Sequence, residues 1–354
     1  MSTGGQRLWA SLLSCLFVWF VQVVGSASGS APLRLGEERS PGGSVSFRLF
    51  PLLHLGDSSQ VNGGWEFGDI VDLTTDAHCN LYVLDRSFPR ISKWDESGNL
   101  LSFIDLRVGD GPGEVRSPKF IAVDSSGTLF VADRVHRRVN VVDQSGHFVG
   151  SFPLELYPAD GCVGPDGCLY VIGFPFSYRG PLVKVYAPDG SLVRSFCERP
   201  AETEAARMSG NSGRIATDQK GYIYHSFHYP YEIRRYATSG ELVASFGRKV
   251  GWFRPPKVDP VTRAVEDLAR VAGLGFLPDG KILHVVGGKE DGATFAYFMD
   301  IFNPDGSFIY SLPLVGCGLV TVRCFEVDRK GNIYFDHVEP YPHIVKYRLE
   351  RVER

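Results

Sequence analysis

Across residues 108–152 the apolar positions gather into four short runs, 119–123, 128–132, 139–143 and 148–152. They are separated by Ser125, Ser126 and Gly127, by residues 133–138, and by Gln144, Ser145 and Gly146. Short β-prone runs broken by tight polar turns predict a four-stranded antiparallel meander. A meander of this size cannot bury both of its faces alone, so further copies are required to cover it.

The copies are present. The turn after the first strand, Asp124 to Gly127, returns at Asp166 and Gly167, Asp218 and Gly221, Asp279 and Gly280, and Asp328 and Gly331, with a degenerate version at Asp76 and Cys79. An apolar pair follows each: Leu81 and Tyr82, Leu129 and Phe130, Leu169 and Tyr170, Ile223 and Tyr224, Ile282 and Leu283, Ile333 and Tyr334. Third strands echo at 91–94, 139–142, 183–186, 233–236, 299–302 and 344–347. Repeats of roughly 40 to 60 residues match the scale of propeller blades, and the agreement across two strands predicts an all-β, six-bladed propeller over 44–354. The sixth copy stops after its third strand. An apolar stretch at 44–53 is the candidate for the missing outer strand, so that an N-terminal strand closes the last blade and leaves no open edge.

The motif order GDGPGEV (109–115), Pro118, IAVD (121–124), Gly127, LFVAD (129–133), Arg138, Val139 and Gly146 resembles NHL-type six-bladed propellers, particularly exported relatives with a Gly-Pro-Gly-Glu element at the start of a blade. The similarity is strongest in the first two blades. Gly173, Phe227, Val286 and His337 stand where Asp85 and Asp133 would recur. The resemblance implies a binding or scaffold module.

Two connections depart from the repeat with helical spacing, 201–208 and 259–272. In the second, Asp259 is placed to cap a helix, Pro260 suits its first turn and Gly273 its end. Val261, Val265, Leu268, Ala269 and Ala272 share one side, opposite Arg263, Glu266, Asp267 and Arg270. A small helical insertion between blades four and five is therefore expected, as rim packing or as a lid.

Charge and the N-terminus add the compartment. Lys and Arg number 37 against 40 acidic residues, a net charge of -3, which supplies no footprint for a polyanion and argues against nucleic acid. Arg7 precedes an apolar run, 8–24, followed by Gly25, Ser26 and Ala27; this predicts a secretory signal peptide over 1–27 and a flexible lead-in over 28–43. The alternatives are an uncleaved membrane anchor or, from Leu12, Leu13, Ser14 and Cys15, a lipid anchor. Export places the protein in the periplasm, the envelope or outside the cell, as a monomer. It also permits disulfides among Cys79, Cys162, Cys168, Cys197, Cys317 and Cys324, with buried free thiols as the alternative.

Candidate chemistry lies on the loops that join second to third strands and one blade to the next. The glycine loop 109–113 lacks a following Lys-Ser/Thr pair and opens no helix, so it reads as a turn. Trp65, Arg137, Phe176, Tyr178, Arg179, Tyr229, Tyr231, Trp252, Arg254 and Tyr341 are the aromatic and arginine types that anchor interfaces and stack on sugars. They predict a non-enzymatic recognition or scaffold propeller for protein, peptide or glycan. No catalytic residue is assigned and no cofactor is expected. His225, His228, His337 and His343 form a candidate zinc set. The competing class is a metal-dependent lyase, lactonase or hydrolase at the channel mouth. There Asp69, Asp72, Asp160 and Glu326 offer oxygen ligands to calcium, while Lys119, Arg214 and Arg323 would repel it.

Overall fold

The computed structural model describes residues 45–56, 66–176, 180–200, 212–262, 265–266, 269–289 and 295–353. The expected signal peptide and lead-in, and the helical pattern at 201–208, lie outside these residues. Strands are numbered along the chain, beginning with β1 (Val45–Leu55).

Blade one is β2 (Ile70–Thr75), β3 (Leu81–Asp85), β4 (Arg90–Trp94) and β5 (Leu100–Asp105). Blade two is β6 (Pro118–Val123), β7 (Leu129–Asp133), β8 (Arg138–Val142) and β9 (Phe148–Pro153), and blade three β10 (Leu156–Val163), β11 (Leu169–Pro175), β12 (Val183–Tyr186) and β13 (Leu192–Phe196). Blade four is β14 (Arg214–Thr217), β15 (Ile223–Ser226), β16 (Glu232–Tyr236) and β17 (Leu242–Gly247). A minimal hairpin, β18 (Lys257–Val258) with β19 (Val265–Glu266), precedes blade five: β20 (Arg270–Phe276), β21 (Ile282–Lys289), β22 (Phe295–Phe302) and β23 (Phe308–Pro313). The sixth sheet runs β24 (Phe325–Val327), β25 (Ile333–His337), β26 (His343–Glu353) and then β1, which pairs antiparallel with β26 from Val45 opposite Glu353 to Leu55 opposite Ile344. The innermost strands β2, β6, β10, β14, β20 and β24 touch in cyclic order, β24 returning to β2, and so enclose a central bore.

Apolar side chains from facing sheets form one cluster at each blade junction. Phe120, Phe130, Leu156 and Val171 fill the junction of blades two and three; Leu55, Leu73, Trp94, Tyr334 and Ile344 fill that of six and one. Each fully buried side chain of this size contributes roughly 1.5–3 kcal/mol, so adjacent sheets supply what one meander lacks. The turns after the inner strands are set locally. The Asp124 carboxylate accepts the N–H groups of Ser126 and Thr128 while Gly127 takes φ +87, and Asp218 and Asp328 repeat the arrangement. In the degenerate copy Cys79 itself adopts φ 62.

Two expectations are corrected. Among the described residues of 259–272 no helix forms. Val261 is 87% exposed, and Ala269 and Ala272 are buried at the inner strand β20. Gly273 does not end a helix: it lies within β20, where an added Cβ would stand 2.2 Å from the Phe325 ring. The helical spacing was a local coincidence that the ladder to β21 overrode. In blade six the capping aspartate is not lost to His337 but moved one position earlier. Asp336 accepts the N–H groups of Arg323 and Cys324, as Asp85 accepts those of Gly68 and Asp69 and Asp133 those of Arg116 and Ser117.

Candidate functional site: a loop-face aromatic patch and a polarised bore

On the loop face the clearest assembly joins blades two and three. Arg137, held at φ 52 in the loop between β7 and β8, places its guanidinium 4.8 Å from the ring centre of Phe176 and 5.8 Å from that of Tyr157. The two rings meet edge to face at 5.2 Å, and Phe176 stays 44% exposed. Cation and rings thus hold one another in place at the surface, which is the preorganisation an interface anchor needs.

The remaining predicted residues divide. Trp65, Tyr178 and Arg179 lie outside the described residues. Trp252 stacks on Phe298 at 5.0 Å and over Gly288, and is rim packing as much as surface. Tyr229 stacks on Phe253, and Arg254 is exposed and bonds the Gly251 carbonyl. Tyr341 is half-buried against His343. Tyr231 is an interior residue, not a surface one, with its hydroxyl on Asp300.

The four histidines do not come together. His225 is buried in blade four between the Ser212 carbonyl and the Cys197 thiol, and burial pushes its pKa down to about 4. His228 accepts the Val271 N–H at 3.0 Å and is held neutral by burial and then by Arg214. His337 bonds the Tyr347 hydroxyl at 2.9 Å, and His343 donates to the Tyr341 carbonyl at 2.9 Å. The His337 and His343 rings stack at 4.8 Å, and the His54 and His343 rings stack at 6.0 Å. Among the described residues no group of three His, Cys, Asp or Glu is disposed to hold a metal. Cys79, Cys162, Cys168, Cys197, Cys317 and Cys324 are all free thiols.

The bore is lined by groups of both charges. On the side of the Asp-x-x-Gly turns it forms a cavity of about 660 Å³, lined by Asp72, Asp160, Glu326, Thr74, Thr75 and Arg214 among others. Burial, then the nearby Asp160, raises the pKa of Asp72 to about 7; burial raises Glu326 to about 8. These carboxyls also join blades: Asp72 accepts the Ile121 N–H at 2.9 Å, Asp160 the Ile215 N–H at 3.0 Å, and Glu326 the Thr75 hydroxyl at 2.8 Å. Arg214 reaches from blade four to the Arg323 carbonyl of blade six at 2.7 Å, with Asp160 at 3.5 Å. Above it, on the loop side, Arg323 pairs with Asp69 and Asp336, and Asp69 also holds Arg86.

Sequence reasoning missed one buried chain. Ser226 bonds His284, which meets the Tyr231 hydroxyl, which donates to Asp300, and Arg248 closes on Asp300 at 2.8 Å. The available signal was that Ser226 and His284 sit in the second strands of consecutive blades, one repeat position apart.

No protein-family model matches the sequence, and no curated protein matches it. Solved structures share the fold. A candidate exported protein of Bacteroides fragilis NCTC 9343 superposes with a TM-score of 0.60 at 10% identity, covering 88% of this chain and 97% of that one. A DUF4221-family member from Bacteroides vulgatus gives 0.59 at 10% identity, over 86% and 99%. Virginiamycin B lyase from Staphylococcus aureus gives 0.50 at 12% identity, over 86% and 99%.

Proposed function

We propose that this chain is an exported, non-enzymatic recognition propeller that binds protein, peptide or glycan through its loop face. The carrying observation is the exposed Phe176 ring fixed edge to face on Tyr157 beneath Arg137. Aromatic and arginine side chains locked before binding lose little entropy on association and make strong anchors. Export is supported by the Arg7 and 8–24 leader pattern, and the binding class by the NHL-like motifs of blades one and two. Arg137→Ala with Phe176→Ala is expected to abolish binding on glycan and peptide arrays while leaving the melting temperature within about 2 °C, because both residues lie at the surface. Undiminished array binding by the double variant would move recognition off this patch.

The second reading, a metal-dependent lyase, lactonase or hydrolase, is favoured by one observation. The turn-side cavity holds two carboxyls, Asp72 and Glu326, that retain protons near neutral pH, as general acids do. Metal analysis of dialysed protein discriminates the two: stoichiometric calcium or zinc would establish the second reading over the first.

A further inference from the structure

The backbone at Arg137 is not one that a blade requires. Its carbonyl accepts the Leu154 N–H at 2.7 Å, and in blade one the same place, just before the third strand, belongs to Pro89, whose carbonyl accepts the Leu106 N–H at 2.8 Å. Proline is confined to φ of about −65°. Arg137 instead takes φ 52, a left-handed conformation disfavoured for arginine, and in it the guanidinium lies over the Phe176 and Tyr157 rings of the next blade at 4.8 and 5.8 Å. The exposed guanidinium makes no hydrogen bond or ion pair among the described residues. The carboxylates that hold or flank this loop are already engaged: Asp110 by Arg116 and His136, Asp133 by His136 and the N–H groups of Arg116 and Val135, and Glu155 by Lys184. These contacts bear on the ligand. A sugar stacks on a bare ring face, whereas here a cation lies over both rings. A guanidinium held over a ring keeps its planar fork of N–H donors, which matches a carboxylate in two parallel bonds. Phe176 beside it, and Val135 two residues earlier in the loop at 60% exposure, offer apolar surface to a neighbouring side chain.

We propose that this corner of the loop face, between blades two and three, binds an acidic peptide segment, with a Glu or Asp carboxylate on the Arg137 guanidinium and an apolar side chain of the same segment against Phe176. The site rests on the recognition reading above and names its partner class. An arginine fixed in place by rings loses little freedom when the carboxylate arrives, which is where its affinity comes from.

Surface-plasmon titration of the full chain over immobilised poly(Glu,Tyr), with poly(Lys,Tyr) and the polyuronate alginate as comparison surfaces, tests this at physiological ionic strength. Saturable binding to poly(Glu,Tyr) alone is expected. Arg137→Gln should weaken it about tenfold or more, Arg137→Lys, which keeps the charge without the planar fork, by less, and Phe176→Ala several-fold. Arg134→Gln removes the same charge from the same loop; its side chain touches no ring among the described residues, so affinity should change by less than about twofold. Absence of binding to poly(Glu,Tyr) overturns the proposal, as does wild-type affinity in Arg137→Gln, or equal losses in Arg137→Gln and Arg134→Gln, which would reduce the effect to net charge. Tighter binding to alginate than to poly(Glu,Tyr) overturns it in favour of an anionic glycan. Should Arg137→Gln not fold, Arg137→Lys and Phe176→Ala decide by the same comparison. If array ligands without a carboxylate are lost in the double variant of Arg137 and Phe176, the recognition reading stands and only the acidic partner is wrong; if the double variant keeps its array ligands and Arg137→Gln its copolymer affinity, the recognition reading falls as well.

Discussion

Ser226 Oγ lies 2.7 Å from His284 Nε2, a hydroxyl and an imidazole from adjacent blades at nucleophile-to-base distance. The pair is nonetheless sealed: Ser226 is 0% exposed and His284 1%. Its role is to tie blade four to blade five through Tyr231 and Asp300. A fluorophosphonate probe is expected to leave Ser226 unlabelled in the native protein, and Ser226→Ala to cost about 1–3 kcal/mol in urea unfolding, because the buried imidazole loses its partner. Stoichiometric labelling would show an accessible nucleophile instead.

The ladder between β1 and β26 makes the N-terminal strand part of the ring. Leu55, which is buried at the junction of blades six and one, should cost about 2–5 kcal/mol when changed to Ala. Removing residues 45–55 entirely is expected to eliminate the cooperative urea transition, since the sixth sheet loses its outer strand and its neighbour loses core. A truncated chain unfolding with an unchanged midpoint would contradict this.

Above mildly acidic pH the bore carboxyls Asp72 and Glu326 weigh increasingly against the folded state. Asp72 and Glu326 have folded pKa values raised to about 7 and about 8 from ordinary values of 3.8 and 4.5, so the folded state keeps protons that the unfolded state has released. Their contribution is complete below about pH 4 and declines as pH rises to about 8, by at most about 1.4 kcal/mol per pH unit for each group. Denaturation midpoints of Asp72→Asn and Glu326→Gln should fall less steeply than wild type between pH 5 and 8, windows set by those shifts. A wild-type slope in both variants would refute the assignment.

The acid limb has the opposite origin. Burial, then His343 and His54, lowers His337 from 6.5 to about 4, so the unfolded chain takes up a proton that the folded chain refuses. This contribution is present above about pH 6.5 and is lost as pH falls toward 4. His337→Gln, which keeps a polar partner for Tyr347, should be less sensitive to acid over that window when melting temperature is followed by circular dichroism. Equal acid sensitivity would place the acid limb on other groups.

What the sequence by itself determined were the features encoded within a few residues of one another. Asp124 and Gly127 build their turn from their own side chain and dihedral, and the alternating runs around them need only a neighbouring strand, so the repeats and the six blades were legible. The same locality misled at 259–272, where helical spacing was read without sight of the β21 ladder that claims 270–276. It also hid the shift by which Asp336 does the work expected one position later. The candidate sites were decided by tertiary structure alone, because ring closure unites groups far apart in the chain: Arg214 with the Arg323 carbonyl, Thr75 with Glu326, Arg137 with Phe176. Side-chain type announces that a histidine can bind zinc or a lysine an anion. Whether it does depends on which groups the other blades bring within reach, and on how much water closure leaves between them.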